Sequence, residues 1–235
     1  YGDIGTRTFI QLRQHYRSAA IRNIAPNMPK DPAPWQIVAD EDLPILAEGC
    51  CDLVLSVNSL HKIDDVPGAL QNWRKTLRDD GLFHCVFLGG NTLQELRVAL
   101  GNAEAEITGG ARMRFHPMIA LRDAGQLLQQ AGFALCVTDR EVVRVTFRDF
   151  RTMLHELRAM GEGNALCNPA PYLSRQVLAR AEEIYWQRFS QSALLPMTFE
   201  LLFMHGWAPH ASQQKPSQPG SADIGLTTVF QVPKP

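Results

Sequence analysis

The chain has no surplus of charge: 23 basic side chains face 24 acidic ones, for a formal net charge of -1. So even a balance gives no sequence-wide field that would draw the protein to nucleic acid or to an anionic membrane surface, and the basic residues are scattered rather than bundled. No apolar run approaches the roughly 20 residues of a membrane-spanning helix and no signal peptide is visible, so a soluble protein is expected. The five cysteines, Cys50, Cys51, Cys85, Cys136 and Cys167, are odd in number and hold no C-x-x-C pair, which argues for reduced thiols in a cytosol-like compartment. Adjacent Cys50 and Cys51 read as packing residues ahead of a redox site. The G-x-S-x-G elbow, the P-loop and the dinucleotide-binding G-x-G-x-x-G are all missing, which disfavours a nicotinamide-dependent oxidoreductase. His205 and His210 lie near a late strand without a second ligand pair at metal spacing, so no metal site is predicted.

What is present is enough apolar material, 45% of 235 residues, for one domain with a modest extension. Short apolar runs alternate with helix-period segments, the signature of βα units around a mostly parallel sheet. Strands are predicted at Ala19 to Ala25, Trp35 to Ala39, Asp52 to Val57 and Gly81 to Leu88. The Asp52 run does not alternate with polar residues, so it is expected to be buried on both faces. Apolar positions 66, 69, 70, 73 and 77 make a helix stripe with Pro67 in its first turn. Thr92-Leu93-Gln94-Glu95 matches a capping box opening a helix to about Ala105, and Gly109-Gly110 closes it. A helix from Asp123 to Ala131 stopped by Gly132, a strand from Phe133 to Thr146 bent near Asp139-Arg140, and helices at Phe150 to Met160 and Ser174 to Phe189 follow. Met197 to Met204 is a strand arriving late, and from Gly206 the Pro/Ser/Gln-rich sequence reads as an extended loop. The domain is therefore placed at 1–205, with a helical insertion at about 150–190, and the extended segment at 206–235. The first strand, ending at Asp3, would be central in such a sheet, so residues upstream of Tyr1 are expected in the natural gene.

Three stretches, Ala39 to Pro44, Cys51 to His61 and Leu77 to Phe83, together resemble the middle of a class I S-adenosylmethionine (SAM) methyltransferase, a Rossmann-like α/β fold whose last strand is antiparallel. In such open sheets ligands sit beyond the carboxyl ends of the strands. That resemblance implies cofactor contacts at Asp3 for an amino group, Gly5 and Thr6 in the first loop, Asn23 where a ribose-binding acid is usual, and Asp40 and Glu41 for an adenine amine, with Asn58 lining the same crevice. Read without the resemblance, Gly5 is an ordinary turn glycine and Asp40-Glu41 are solvated loop acids. His61 is the candidate base or substrate-orienting group because its ordinary pKa lies near neutrality; the alternative is a structural histidine. Gly90, in Gly89-Gly90-Asn91, is either a substrate contact or part of a tight turn before a helix.

Further stretches narrow the resemblance: Ser59-Leu60-His61, Gly89 to Arg97, Leu157 to Ala165, and the tail Gly206 to Pro216 with Pro219 to Ala222. They are similar to those of the SAM-domain assembly factors for respiratory complex I, known from mitochondria and alphaproteobacteria and related to the malonyl-carrier-protein methyltransferase of biotin synthesis. The resemblance implies a SAM-dependent methyltransferase with SAM as cofactor and a protein or small-molecule acceptor. Within the family it implies a complex I subunit as partner and arginine modification, and a cytoplasmic location in a bacterium or the mitochondrial matrix in a eukaryote. The chain departs from the family at Thr6, Arg7, Phe9, Asn23, Lys62 and Asn91, and the rival reading is an assembly scaffold that has lost SAM binding.

Overall fold

The computed structural model describes residues 46–162, 166, 171–215 and 221, together with the backbone of 23–25 and 36–38. The expectations for Asp3, Gly5, Thr6, Phe9, Asp40 and Glu41 lie outside these residues. Strands β1 (Asn23–Ala25) and β2 (Gln36–Val38) pair in parallel, with Asn23 opposite Gln36. Strands β3 (Cys51–Val57), β4 (Leu77–Leu88), β5 (Ala134–Phe147) and β6 (Leu195–Trp207) form the second sheet, in the order β3-β4-β6-β5. β3 and β4 are parallel, whereas β6 runs antiparallel to both of its neighbours.

Helix α1 (Val66–Thr76) forms where the sequence predicts it. Asp65 caps it by accepting the Gly68 amide at 3.0 Å, and Pro67 occupies the first turn, where its missing N–H costs nothing. Its stripe of Ala69, Leu70 and Trp73 joins Ala124 and Leu128 of α3 (Leu121–Gln130) over Val54, Phe83, Cys85, Phe87, Leu202 and Met204 of the sheet. This layer explains a correction to β3. Val54 is buried beneath the helices, but Leu53 and Leu55, pointing to the other face, are 54% and 39% exposed, so among the described residues only one face of the strand is covered. Side chains alternate across a strand, and an unbroken apolar run does not by itself show that both faces are covered.

A second core joins α2 (Gln94–Thr108), α4 (Phe150–Ala159) and α5 (Arg175–Phe189) to Leu88 and to Leu195, Met197 and Phe199 at the start of β6. The capping box at Thr92 does not form. Leu93, with φ at +55°, precedes the helix, while Thr92 and Glu95 both reach across to β6. The Glu95 carboxylate accepts the Thr198 amide at 3.1 Å and its hydroxyl at 2.5 Å, and the Thr92 hydroxyl accepts the Glu200 amide at 3.0 Å. A tertiary acceptor has displaced the local cap.

Two strand boundaries also differ. β4 starts at Leu77 rather than Gly81, because Asp79-Asp80-Gly81 is a bulge between the Cys51–Leu77 and Leu53–Leu82 pairs. β5 has its irregularity between Ala134 and Val137, where Leu135 sits at φ +51°, and then pairs without interruption through Asp139-Arg140 to Phe147. β6 continues through Gly206 and Trp207, so the tail departs later than predicted. Its first residues are tied back to the β4 bulge: the Ala208 amide donates to the Gly81 carbonyl at 2.8 Å, and Gln213 Nε2 donates to Asp80 Oδ1 at 2.8 Å.

Candidate functional site

The carboxyl ends of β3 and β4 and the Glu200 region of β6 meet at one edge of the sheet, because Val57 pairs with Val86 and Leu88 with Leu201. Asn58 leaves β3 there. Its amide still donates to the Val86 carbonyl at 2.8 Å, but its φ of +54° breaks the strand, a left-handed conformation that asparagine tolerates better than most residues. The chain then makes a single 3-10 turn, Leu60–Lys62, with the Lys62 amide donating to the Ser59 carbonyl at 2.8 Å. Ser56 and Ser59 hydroxyls bond each other at 2.8 Å, and Leu60, 1% exposed, is anchored in the first core. These contacts fix the direction in which His61 leaves the backbone.

The His61 side chain is wholly buried, and its Nε2 lies 3.1 Å from Glu162 Oε2. Lys62 Nζ donates to the other carboxylate oxygen and to the Gly161 carbonyl, each at 3.2 Å. Burial works to raise the Glu162 carboxyl, but the His61 hydrogen bond and charge, followed by the charge and hydrogen bond of Lys62, outweigh it and hold the group below the usual carboxylate range. Half-buried His116 belongs to the same electrostatic cluster. Burial lowers its basicity, the nearby His61 and Lys62 lower it further, and Glu162 and Asp64 oppose them.

Gly90 meets the segment that follows His116, since its amide donates to the Ile119 carbonyl at 3.0 Å. Its own carbonyl accepts Arg97 Nη2 at 2.5 Å, so both backbone groups are engaged within the protein. The neighbouring Gly89 has a steric reason to be glycine: a Cβ there would sit 2.6 Å from Leu202 Cγ and 2.8 Å from Glu200 Oε2. Buried Glu200 in turn accepts the amide and the Nδ2 group of Asn91, both at 2.9 Å, which holds the Gly89-Gly90-Asn91 turn against β6.

Of the residues singled out in the sequence, Asn58 and His61 share the β3 corner, and Gly90 lies at the end of β4, bonded to Ile119. Asn23 is the first residue of β1. His205 faces His84 across the β4–β6 ladder, ring nitrogens 2.9 Å apart, and His210 bonds Ser212. Two buried polar atoms have no hydrogen-bond partner among the described residues, Asn58 Oδ1 and His61 Nδ1. Sequence reasoning did not select Glu162, His116 or Glu200 as site residues. Glu162 had a local signal: an amphipathic helix ending in Gly161 places the next residue at a fixed point beyond the cap.

The methyltransferase domain family matches residues 12–85. The chain is similar to the mitochondrial arginine-hydroxylase NDUFAF5 of Danio rerio, with 38% identity covering 84% of this chain and 62% of that protein. It is 34% identical to the Homo sapiens protein of the same name, covering 83% of this chain and 57% of that one. A malonyl-[acyl-carrier protein] O-methyltransferase of Laribacter hongkongensis is 35% identical over 78% of this chain and 60% of its own length. The chain therefore spans somewhat under two thirds of these relatives. Among solved structures, a Bacillus halodurans protein described as a methyltransferase superposes with a TM-score of 0.50 at 12% identity, covering 85% of this chain and 87% of that one. The chain thus carries a match to the methyltransferase domain over residues 12–85, has the Rossmann-like α/β fold of its solved neighbour, and is homologous over most of its length to the NDUFAF5 arginine-hydroxylases and the malonyl-[acyl-carrier protein] O-methyltransferases.

Proposed function

We propose that the protein binds SAM at the carboxyl ends of its parallel strands and modifies a protein acceptor, a respiratory complex I subunit, during assembly. The observation that carries this reading is the pair of buried, unpartnered atoms on Asn58 and His61 at the strand end where open α/β folds take their ligands. Asn58 Oδ1 is an acceptor without a donor among the described residues, and SAM brings an amino group able to supply one, so the described residues fit the cofactor. Asp3, Gly5, Thr6, Asn23, Asp40 and Glu41 would hold the remainder of it, as the family resemblance implies. When bound, SAM supplies an electrophilic methyl group on a sulfonium centre.

The protein's own task is alignment and the exclusion of water. Methyl transfer gains most from holding the acceptor in line at near-attack distance, and no invariant base is demanded. His61, fixed by Glu162, and Gly90, fixed by Ile119 and Arg97, are the rigid elements against which an acceptor would be placed. The arginine-hydroxylase relatives favour an arginine side chain as acceptor, and their mitochondrial names a mitochondrial location in eukaryotes. No helix among the described residues is long and apolar enough to cross a membrane. Calorimetric titration with SAM and with its demethylated product tests the reading. Micromolar binding is expected; no heat and no thermal shift at millimolar ligand would sink it.

A further inference from the structure

His84 of β4 and His205 of β6 stand directly opposite each other in the antiparallel ladder. Their Nδ1 atoms are 2.9 Å apart, while the ring centres are 5.1 Å apart and the planes differ by only 11°. The second distance exceeds the first by no more than the two ring radii, so both nitrogens lie on the line between the centres. The rings therefore meet edge to edge in nearly one plane, not face to face. Two lone pairs cannot share that line, so one Nδ1 carries a proton that the other accepts. The separation suits a proton alone: a metal ion on the line, about 2.0–2.1 Å from each nitrogen, would need roughly 4 Å. Leu55 lies opposite His84 on β3, Val137 opposite His205 on β5, and Leu82, Val86, Phe203 and Trp207 follow along the two strands. The next charged groups on this face, among the described residues, are Asp139 and Glu141 of β5, opposite Phe203 and Leu201, and the Asp139 carboxylate accepts the Arg140 amide at 2.8 Å. Asp80, at the amino end of the ladder, is held by Gln213.

We propose that His84 and His205 are an acid-sensing clasp between β4 and β6, which holds one shared proton while the pair is neutral or singly charged and parts when the second ring is charged. In the neutral pair one ring is the Nδ1–H tautomer and the other the Nε2–H tautomer. The first added proton goes to Nε2 of the donor ring, and the bond between the rings becomes charge-assisted. The second can only go to the accepting Nδ1. It removes the lone pair and sets two N–H groups and two positive charges against each other. Burial lowers the basicity of His84 and the charge of His205 lowers it further, so His84 is the ring charged last. Because its folded-state value is the depressed one, the stabilisation is present above the ordinary histidine range and is lost as pH falls from there through that value. The clasp lies between the Gly81–Ala208 hydrogen bond that ties back the tail and the Leu88–Leu201 pair at the site edge, so its parting loosens the strand pair that joins them.

Nitrogen–nitrogen coupling across a hydrogen bond, measured on the full chain with isotope-labelled histidine, reads the shared proton directly. At neutral pH a coupling between the Nδ1 atoms of His84 and His205 is expected, with one ring as each tautomer. It should survive the first protonation and vanish with the second, and hydrogen-exchange protection of the β4 and β6 amides around the pair should be lost over the same pH interval. His84→Phe and His205→Gln each remove one titrating ring, and both should lack that acid step. Two Nε2–H rings without coupling at neutral pH, a coupling that persists once both rings are charged, or an unchanged acid step in a folded variant would overturn the proposal. Loss of the coupling on adding micromolar zinc ion at neutral pH would overturn it too, in favour of a metal site. Should neither variant fold, as judged by thermal unfolding, the wild-type titration decides alone. None of these readouts involves SAM, so their failure is distinct from a failure to bind cofactor.

Discussion

Removing the Glu95 carboxylate should unfasten α2 from β6. Glu95 is 7% exposed and accepts two donors from one residue, the Thr198 amide at 3.1 Å and the Thr198 hydroxyl at 2.5 Å. Glu95→Ala strands both. The hydroxyl can rotate toward another acceptor, but the amide cannot, and a buried donor left unsatisfied costs about 1–3 kcal/mol, with bonds to charged groups at the upper end. Its place in the first turn of α2 adds a favourable interaction with the helix dipole of roughly 0.3–1 kcal/mol. The combined loss is about 3 kcal/mol. Glu95→Gln should lose only about 1 kcal/mol, since its amide oxygen can accept the Thr198 amide while its NH2 donates to the hydroxyl. Equilibrium denaturation in urea reads both values, provided the slope is unchanged. Combined with Thr198→Val, the alanine variant should show clear non-additivity, because both changes remove the same hydroxyl contact. An alanine variant within about 0.5 kcal/mol of the parent, the range of ordinary surface substitutions, would refute the reasoning.

Gly89→Ala should lower stability by roughly 1–3 kcal/mol, since its methyl would press on buried Leu202 and on the Glu200 carboxylate that holds Asn91; an unchanged melting temperature would contradict this. Glu104 is buried and paired with Arg114, whose Nη2 lies 2.6 Å from Oε1, and that hydrogen bond holds the Glu104 carboxyl below its ordinary range. Because the folded-state value is the depressed one, the stabilisation is complete above the ordinary carboxyl range and is lost as pH falls through the folded-state pKa. Denaturation midpoints from neutral to acidic pH should therefore fall less steeply in Glu104→Gln, which starts about 3–5 kcal/mol less stable for breaking a buried pair; an equal acid slope would count against the pairing. Thiol labelling with peptide mapping should modify exposed Cys50 first. Cys51, pushed up to about 11 chiefly by burial and then by its hydrogen bond with Cys50, should follow slowly, and Cys85, raised further by full burial, should react only on unfolding.

Local chemistry was read well from the sequence where it was also decisive in the fold. Pro67 and the 69, 70, 73 stripe were enough to place α1, and the Asp65 cap found in the fold agrees with them. The late antiparallel strand and the helix stopped at Gly132 were legible for the same reason. Thr92 and Glu95 misled because the same two side chains that make a capping box also suit a tertiary bridge, and Thr198 lies more than 100 residues away. Leu53 and Leu55 misled because apolar identity does not say which face is covered. In the candidate site, the position of Asn58 and His61 just after a strand was legible in the sequence. Glu162 was not, because its partnership with His61 spans two elements that meet only after β3 and α4 have packed.

The central claim is that SAM sits over the carboxyl end of β3. Ultraviolet crosslinking of methyl-labelled SAM to the full chain, followed by tryptic mapping, tests it most directly. The account predicts label in the peptide from Asp31 to Lys62, which contains Asp40, Glu41, Asn58 and His61, and suppression of that label by excess unlabelled demethylated product. Label confined to peptides of β5 or of the segment after Trp207, or no specific label at all, would contradict it.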